Sequence, residues 1–241
     1  MQGLPTLNVL ILGGSGGIGA AFVASLCQRE CVTGVVATYF RHQPSFTHPK
    51  LSWHRVDPTS EVDIAALCQA LGQCHWVINA VGMLHTQHHG PEKTIKRLNA
   101  DFTLENFRVN TLPTMLLAKY LDKNFKGVSP ALFATVSAKV GSISDNQLGG
   151  WISYRASKAA LNMALKTIAL EWRLRLPQVC VVAIHPGTTD TALSKPFQAN
   201  VPEGKLFTPA YSVQRMLDVL DTKTPEHSGR FWSWDGSELP W

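Results

Sequence analysis

Tyr154 and Lys158 stand four residues apart in the stretch YRASK. At helical spacing they share one face. An ammonium beside a phenol favours the phenolate and lowers its pKa from about 10. Such a pair can give a proton to a carbonyl oxygen as hydride reaches the carbon, and take it back in reverse. Alone, Y-x-x-x-K also arises by chance, and a surface pair is then the plain reading. A second feature lies far upstream. NVLIL runs straight into Gly13-Gly14-Ser15-Gly16-Gly17-Ile18-Gly19, and a helical pattern follows. Glycines permit a tight turn, close approach of backbone to phosphate, and close helix–strand packing. A helix N-terminus offers free N–H groups and a positive dipole end to a pyrophosphate. No Lys-Ser/Thr follows the loop, which speaks against a nucleoside-triphosphate P-loop. The context points to a dinucleotide, with a tight structural turn as the alternative. The apolar run at 34–40 should end beside the adenosine ribose. Thr38, Tyr39, Phe40, Arg41 and His42 stand there, with no acid to hold a 2′-hydroxyl. Arg41 suits a 2′-phosphate and so predicts NADP; a solvated surface arginine is the alternative.

These groups need elements to hold them. Short apolar runs rich in Val and Ile recur at 8–12, 34–40, 76–81, 131–136 and 179–184, with a weaker one at 51–56 and a last one at 230–234. Such runs read as strands buried on both faces. Between them, helical spacing covers 17–30, 103–121 and 155–176, where Pro177 stops the helix. Thr208-Pro209 reads as N-cap and first residue of a helix to about Leu220. Strands alternating with helices predict an α/β fold with a parallel sheet covered on both faces.

Composition sets outer bounds. The chain has 241 residues, 45% hydrophobic and 16% charged, which excludes disordered, collagen-like and disulfide-scaffold classes. Its net charge of +5 comes from scattered Lys and Arg rather than a stripe, so no nucleic acid is expected as partner. A mildly basic protein suits an anionic small molecule. No apolar run reaches the roughly 20 residues of a membrane span. The N-terminal MQGLPTLNVLILGG lacks a basic leader and is read as no export signal. Cys27, Cys31, Cys68, Cys74 and Cys180 are odd in number and form no C-x-x-C pair, which predicts free thiols in the cytoplasm. Cys27 and Cys31, at helical spacing, read as a buried helix face rather than a redox pair.

Taken in order along the chain, these features resemble the short-chain dehydrogenase/reductase family. Gly13, Gly17 and Gly19 match its glycine loop, and Asp57 matches the acid that contacts the adenine. Asn79-Ala80-Val81-Gly82 is similar to the segment after the fourth strand. Asn110 matches the asparagine that holds a water in the proton relay. Tyr154 and Lys158 match the catalytic motif. His185-Pro186-Gly187, with Thr188, Thr189 and Thr191 beyond, matches the turn that receives the nicotinamide. Residues 141–146 and 154–162 resemble, within the family, the sniffer-like carbonyl reductases and the C-factor proteins of cell–cell signalling. The resemblance implies a single Rossmann-type, doubly wound domain over 1–241, with about seven parallel strands and a substrate lid at 190–207. It implies NADP(H), with Ser15, Gly16 and Ile18 also at the phosphates, and carbonyl reduction or its reverse. It implies a small carbonyl or alcohol substrate and a homodimer or homotetramer. A helix apolar on more than one face, as at 103–121 and 155–176, also asks for a further partner.

One position departs from the pattern. The family's catalytic serine precedes the glycine by three residues, which here is Ala138 before Gly141. Ser137 lies one residue earlier, and an extended strand would point it away. A bulge presenting Ser137, substitution by Ser142 or Ser144, and loss of the serine role all remain open, with Ser137 preferred. A non-catalytic, NADP-sensing regulator is the rival that this departure feeds. His85, His88 and His89 cluster in a loop without carboxylate or cysteine nearby, and are read as solvated rather than metal-binding. Trp151, Phe197 and Phe207 are expected either to line an apolar pocket or to pack in the core.

Overall fold

Backbone groups buried on both faces of a sheet must pair along strands, and the Val- and Leu-rich runs do so. The computed structural model describes residues 6–241; residues 1–5, which carry the start of the stretch read as no export signal, lie outside the described residues. Strands β1 (Leu7–Leu12), β2 (Val32–Tyr39), β3 (Leu51–Arg55), β4 (Trp76–Asn79), β5 (Ala131–Val136) and β6 (Val179–His185) alternate with helices α1 (Gly17–Gln28), α2 (Glu61–Ala70), α3 (Ala100–Asn110), α4 (Leu112–Tyr120), α5 (Asp122–Phe125) and α6 (Ile152–Arg175). The chain continues through β7 (Thr188–Thr189), β8 (Leu206–Phe207), α7 (Pro209–Leu220), β9 (Arg230–Ser233) and β10 (Glu238–Leu239).

The main sheet has eight strands in the order β10-β9-β6-β5-β4-β1-β2-β3, parallel except for β10. The expected count of about seven is exceeded by that two-residue antiparallel edge strand. The chain moves outward from β1 to β3, then returns to β4 on the other side of β1. Where the order reverses, the helices leave the strand ends on opposite faces and a crevice opens. Alternate side chains on each strand feed two cores. Leu10, Val77, Phe133 and Val181 meet α2, α4 and α6 through Ile64, Leu117, Leu165 and Trp172. Val9, Ile11, Leu132 and Val182 meet α1 and α7 through Phe22, Leu26, Val213 and Leu217.

Three expectations shift. The helix predicted over 103–121 is two helices, broken at Thr111 (φ −111°, ψ −51°). Pro113 lacks an N–H and cannot continue α3's ladder, and the Thr111 hydroxyl instead donates to the Ser157 carbonyl at 2.8 Å. The helix predicted from 155 begins at Ile152. α1 stops at Gln28, so Cys31 falls outside it; all five cysteines are free. The Thr208 cap is as expected, its hydroxyl accepting from Tyr211 N–H at 3.2 Å.

Candidate active site

The crevice at the strand ends holds a cavity of about 660 Å³. One wall is the glycine loop, with Gly16, Gly17 and Ile18. Gly13 N–H donates to the Thr38 hydroxyl at 2.9 Å and Gly16 N–H to the Gly13 carbonyl at 3.1 Å, which shapes the turn. α1 begins at Gly17 with no side-chain cap and no acid in its first turn. Its first amides and dipole end are therefore left for an anion, a donor set that fits a diphosphate. A Cβ on Gly17 would lie 2.7 Å from the Thr191 methyl, so this glycine is needed for close approach of the segment after β7. Ser15 is exposed at the loop tip and Gly19 is buried beneath it.

The opposite wall is α6. Tyr154 is buried at 7% exposure and Lys158 at 3%, and both face the cavity. The Lys158 Nζ lies 5.9 Å from the Tyr154 ring centroid and donates to the Val136 carbonyl at 3.1 Å. Burial pushes the Tyr154 phenol above its ordinary range, opposite to the expected lowering by the ammonium. The cause is geometric: Nζ is bonded to the backbone rather than to the phenol, and desolvation prevails. Burial also brings Lys158 down to about 8. Asn110 is buried behind this wall. Its Oδ1 accepts from Met83 N–H at 2.8 Å, while Nδ2 donates to the Met83 carbonyl at 2.9 Å and the Ser157 hydroxyl at 3.0 Å. It thereby clamps the segment after β4 onto α3 and α6. Asn79 similarly accepts from Val81 N–H at 3.0 Å and donates to Thr114, so Ala80, Val81 and Gly82 reach the cavity while Asn79 stays in the core.

The serine question has a clear geometry. Ser137 N–H donates to the Ile184 carbonyl at 2.8 Å and Ala138 is extended (φ −139°, ψ 138°), so strand alternation continues without the bulge considered above. The Ser137 hydroxyl donates to Asn162 Oδ1 at 2.7 Å, toward α6. Ala138 and Ser137 both border the cavity, but the serine's one hydrogen is committed to Asn162. Ser142 is buried outside the cavity walls and accepts from Asp145 N–H at 3.1 Å; Ser144 is exposed. The loop comes this close because Gly141 has no side chain: a Cβ there would meet Lys158 Cβ at 2.6 Å.

Other expected residues spread around this centre. Pro186, Gly187, Thr188, Thr189 and Thr191 form the rim after β6. β7 and β8 pair and close the base of the segment at 190–205, whose Phe197 packs on Trp151 at 5.3 Å. Trp151 and Phe197 line the cavity; Phe207 packs instead on Trp234 at 4.6 Å. Arg41 is exposed in the turn after β2, outside the cavity walls. Asp57 accepts from Thr59 N–H and hydroxyl at 2.9 and 2.8 Å, and borders a second cavity of about 610 Å³ with Phe40 and Arg55. His85 Nε2 lies 3.1 Å from the Ala192 carbonyl, and His89 stacks on Phe102 at 5.6 Å. Among the described residues no group of three His, Cys, Asp or Glu side chains gathers to hold a metal. The sequence gives no sign of the hydrogen bonds that Thr38, Asn162 and Glu92 make. Their partners are remote in the chain, so no local spacing reveals them.

His185 adds a pH dependence. Its Nδ1 accepts from Lys139 N–H at 3.3 Å, and burial, aided by the Lys139 charge, lowers its pKa to about 4. An unfolded histidine takes up a proton near pH 6.5, which the folded one refuses until about pH 4. Stability from this group is full above pH 6.5 and falls as pH drops toward 4. Urea midpoints measured between pH 7 and pH 4.5 should decline, and less steeply in His185→Gln.

An α/β sheet with a glycine loop at its switch point and a buried Tyr–Lys pair across the crevice defines a class of nucleotide-dependent oxidoreductases. The chain belongs to the short chain dehydrogenase family, which residues 7–202 match. It is 32% identical over 193 residues to the 1-hydroxy-2-glutathionyl-2-methyl-3-butene dehydrogenase of Rhodococcus sp. strain AD45, covering 77% of this chain and 78% of that protein. It is 35% identical over 135 residues to C-signal of Myxococcus xanthus, covering 56% and 76%. The NADPH-bound carbonyl reductase from chicken fatty liver superposes with a TM-score of 0.84 at 27% identity, over 99% of this chain and 100% of that one. The carbonyl reductase Sniffer of D. melanogaster shares the fold, with a TM-score of 0.84 at 20% identity over 98% and 100%. The Rossmann-type fold expected from the sequence is thus the one observed. Among the described residues no helix is long and apolar enough to cross a membrane.

Proposed function

We propose that the protein is an NADP(H)-dependent oxidoreductase that reduces a carbonyl compound to its alcohol, or runs the reverse. The observation that carries this reading is the buried Tyr154–Lys158 pair facing the uncapped start of α1 across one cavity. NADPH, when bound, supplies the hydride. The amides of Gly17, Ile18 and Gly19 receive its diphosphate, Arg41 its 2′-phosphate, Asp57 and the Ala80–Gly82 segment its adenosine half, and the rim from Pro186 to Thr191 its nicotinamide. Lys158 and Tyr154 hold the nicotinamide ribose. Tyr154 donates its phenolic proton to the carbonyl oxygen, and burial keeps it in the protonated form that can donate. Asn110 supports the relay by clamping Met83 against α6. The segment at 190–207 acts as the lid of a single domain. The test is a panel of aldehydes, ketones and quinones with NADPH, followed at the nicotinamide absorbance. Reduction of any of them supports the reading. Ala138 favours a second reading, a non-catalytic NADP sensor, which takes over if NADPH binds and no carbonyl is reduced.

Two further expectations belong to this reading. NADPH binds more tightly than NADH, and Arg41→Ala weakens NADPH by about 1–3 kcal/mol, as for a charge-assisted hydrogen bond, while barely changing NADH. Calorimetric titration of both cofactors checks it, and equal affinities in the unmodified protein refute it. The chain also forms a homodimer or homotetramer in the cytoplasm. Met163, Leu170 and Leu174 make an exposed apolar stripe on α6, and Leu104 on α3 and Met115 on α4 are exposed as well. Sedimentation showing only a 26.4 kDa species at working concentration argues against assembly.

A further inference from the structure

α6 carries both Tyr154 and Lys158, and its N-terminus has an unusual anchor. The residue at the N-cap position is Trp151, whose side chain makes no cap and whose backbone is left-handed (φ 52°). A bulky residue in that region is strained and persists only where its surroundings hold it. The hold comes from Glu92, in the loop between β4 and α3. Its carbonyl accepts from Trp151 N–H at 2.5 Å. Its carboxylate accepts from Ser153 N–H at 3.3 Å and from the Ser153 hydroxyl. Thr103 on α3 packs its hydroxyl 2.7 Å from that of Ser153, completing the cluster. Glu92 is 4% exposed and Ser153 fully buried. The N-cap role that Trp151 cannot fill is thus supplied from a residue remote in the chain, and a carboxylate there also complements the helix dipole.

We infer that Glu92 is a positioning residue for the reaction: it anchors the first turn of α6 and so sets the placement of Tyr154, the next residue after Ser153. This rests on the reductase reading given above. With the anchor removed, the first turn opens while the rest of α6, packed through Leu161, Leu165 and Trp172, stays in place. The phenol then loses its alignment without loss of the fold.

The experiment compares Glu92→Ala, Glu92→Gln and Ser153→Ala with the unmodified full chain. Backbone amide exchange is read separately at residues 152–155 and at 161–169, together with NADPH affinity and steady-state rates. Glu92→Ala should speed exchange about ten-fold or more in the first turn alone, as expected for loss of a cap. It should lower kcat by about ten-fold or more with NADPH affinity little changed, since small misplacements of a reacting group are costly. Glu92→Gln keeps an oxygen that can accept from Ser153 N–H, and should recover most of both properties. Ser153→Ala keeps the capped amide and should fall between them. Folded Glu92→Ala with unchanged first-turn exchange and kcat within two-fold of the parent overturns the inference. So does faster exchange spread evenly along α6 with kcat preserved, the signature of a merely structural contact. An unmodified chain that reduces no carbonyl overturns the reductase reading instead; the exchange pattern still decides whether Glu92 anchors the turn that carries Tyr154.

Discussion

With Phe in place of Tyr154, carbonyl reduction falls by about 10²–10⁴ in rate, the usual worth of a positioned general acid. The ring volume is nearly unchanged, and Tyr154 is buried against the cavity wall, so the fold and the nucleotide crevice should persist. On the proposed reductase reading, what disappears is the phenolic proton that would meet the developing alkoxide. Lys158 does not replace it, because its Nζ is bonded to the Val136 carbonyl. The check is kcat on the best carbonyl substrate beside an NADPH titration of the same sample. Retained reductase activity with unchanged NADPH binding would remove Tyr154 from the reaction; the sensor reading gains only if the unmodified protein reduces no carbonyl.

Ala138→Ser is expected to raise turnover, and Ser137→Ala to leave it nearly unchanged. The extended backbone at 137–138 sends the Ser137 hydroxyl to Asn162. Nothing at position 138 can polarise a carbonyl. One well-placed oxyanion donor is worth about 10²–10³ in rate, so an added hydroxyl should gain a sizeable part of that range. Ser137→Ala instead leaves Asn162 Oδ1 without its partner, and should cost stability by about 1–3 kcal/mol rather than activity. Paired measurement of kcat and urea midpoints separates the two effects. A loss of about 10² in rate in Ser137→Ala, with the midpoint preserved, would return the hydroxyl of Ser137 to the reacting carbonyl.

These two positions separate what neighbouring residues determine from what distant packing decides. The parity of a strand is a local property, and it implied that residues 137 and 138 face opposite ways. Whether the strand stays regular there depends on pairing with β6, through the Ser137 N–H to Ile184 bond, and on Asn162 from a helix 25 residues later. Likewise, Pro113 was a visible stop within the stretch at 103–121. Its strongly apolar pattern nevertheless read as continuous, because periodicity records which faces are buried rather than whether the axis is unbroken.

Strand and helix types, the glycine loop, and the Tyr154–Lys158 spacing are set by neighbours a few residues apart: side-chain period, caps, and the missing Cβ of glycine. Those features were therefore legible from residue order. The protonation of Tyr154 was not. Spacing put an ammonium one helical turn away and implied a lowered pKa, whereas the folded chain buries both groups and turns Nζ toward the backbone. Nor was the start of α6, which depends on Glu92 arriving from 61 residues upstream. Burial and long-range hydrogen bonds exist only once distant segments have packed, and a carboxylate in a polar loop carries no local mark of the helix it will cap.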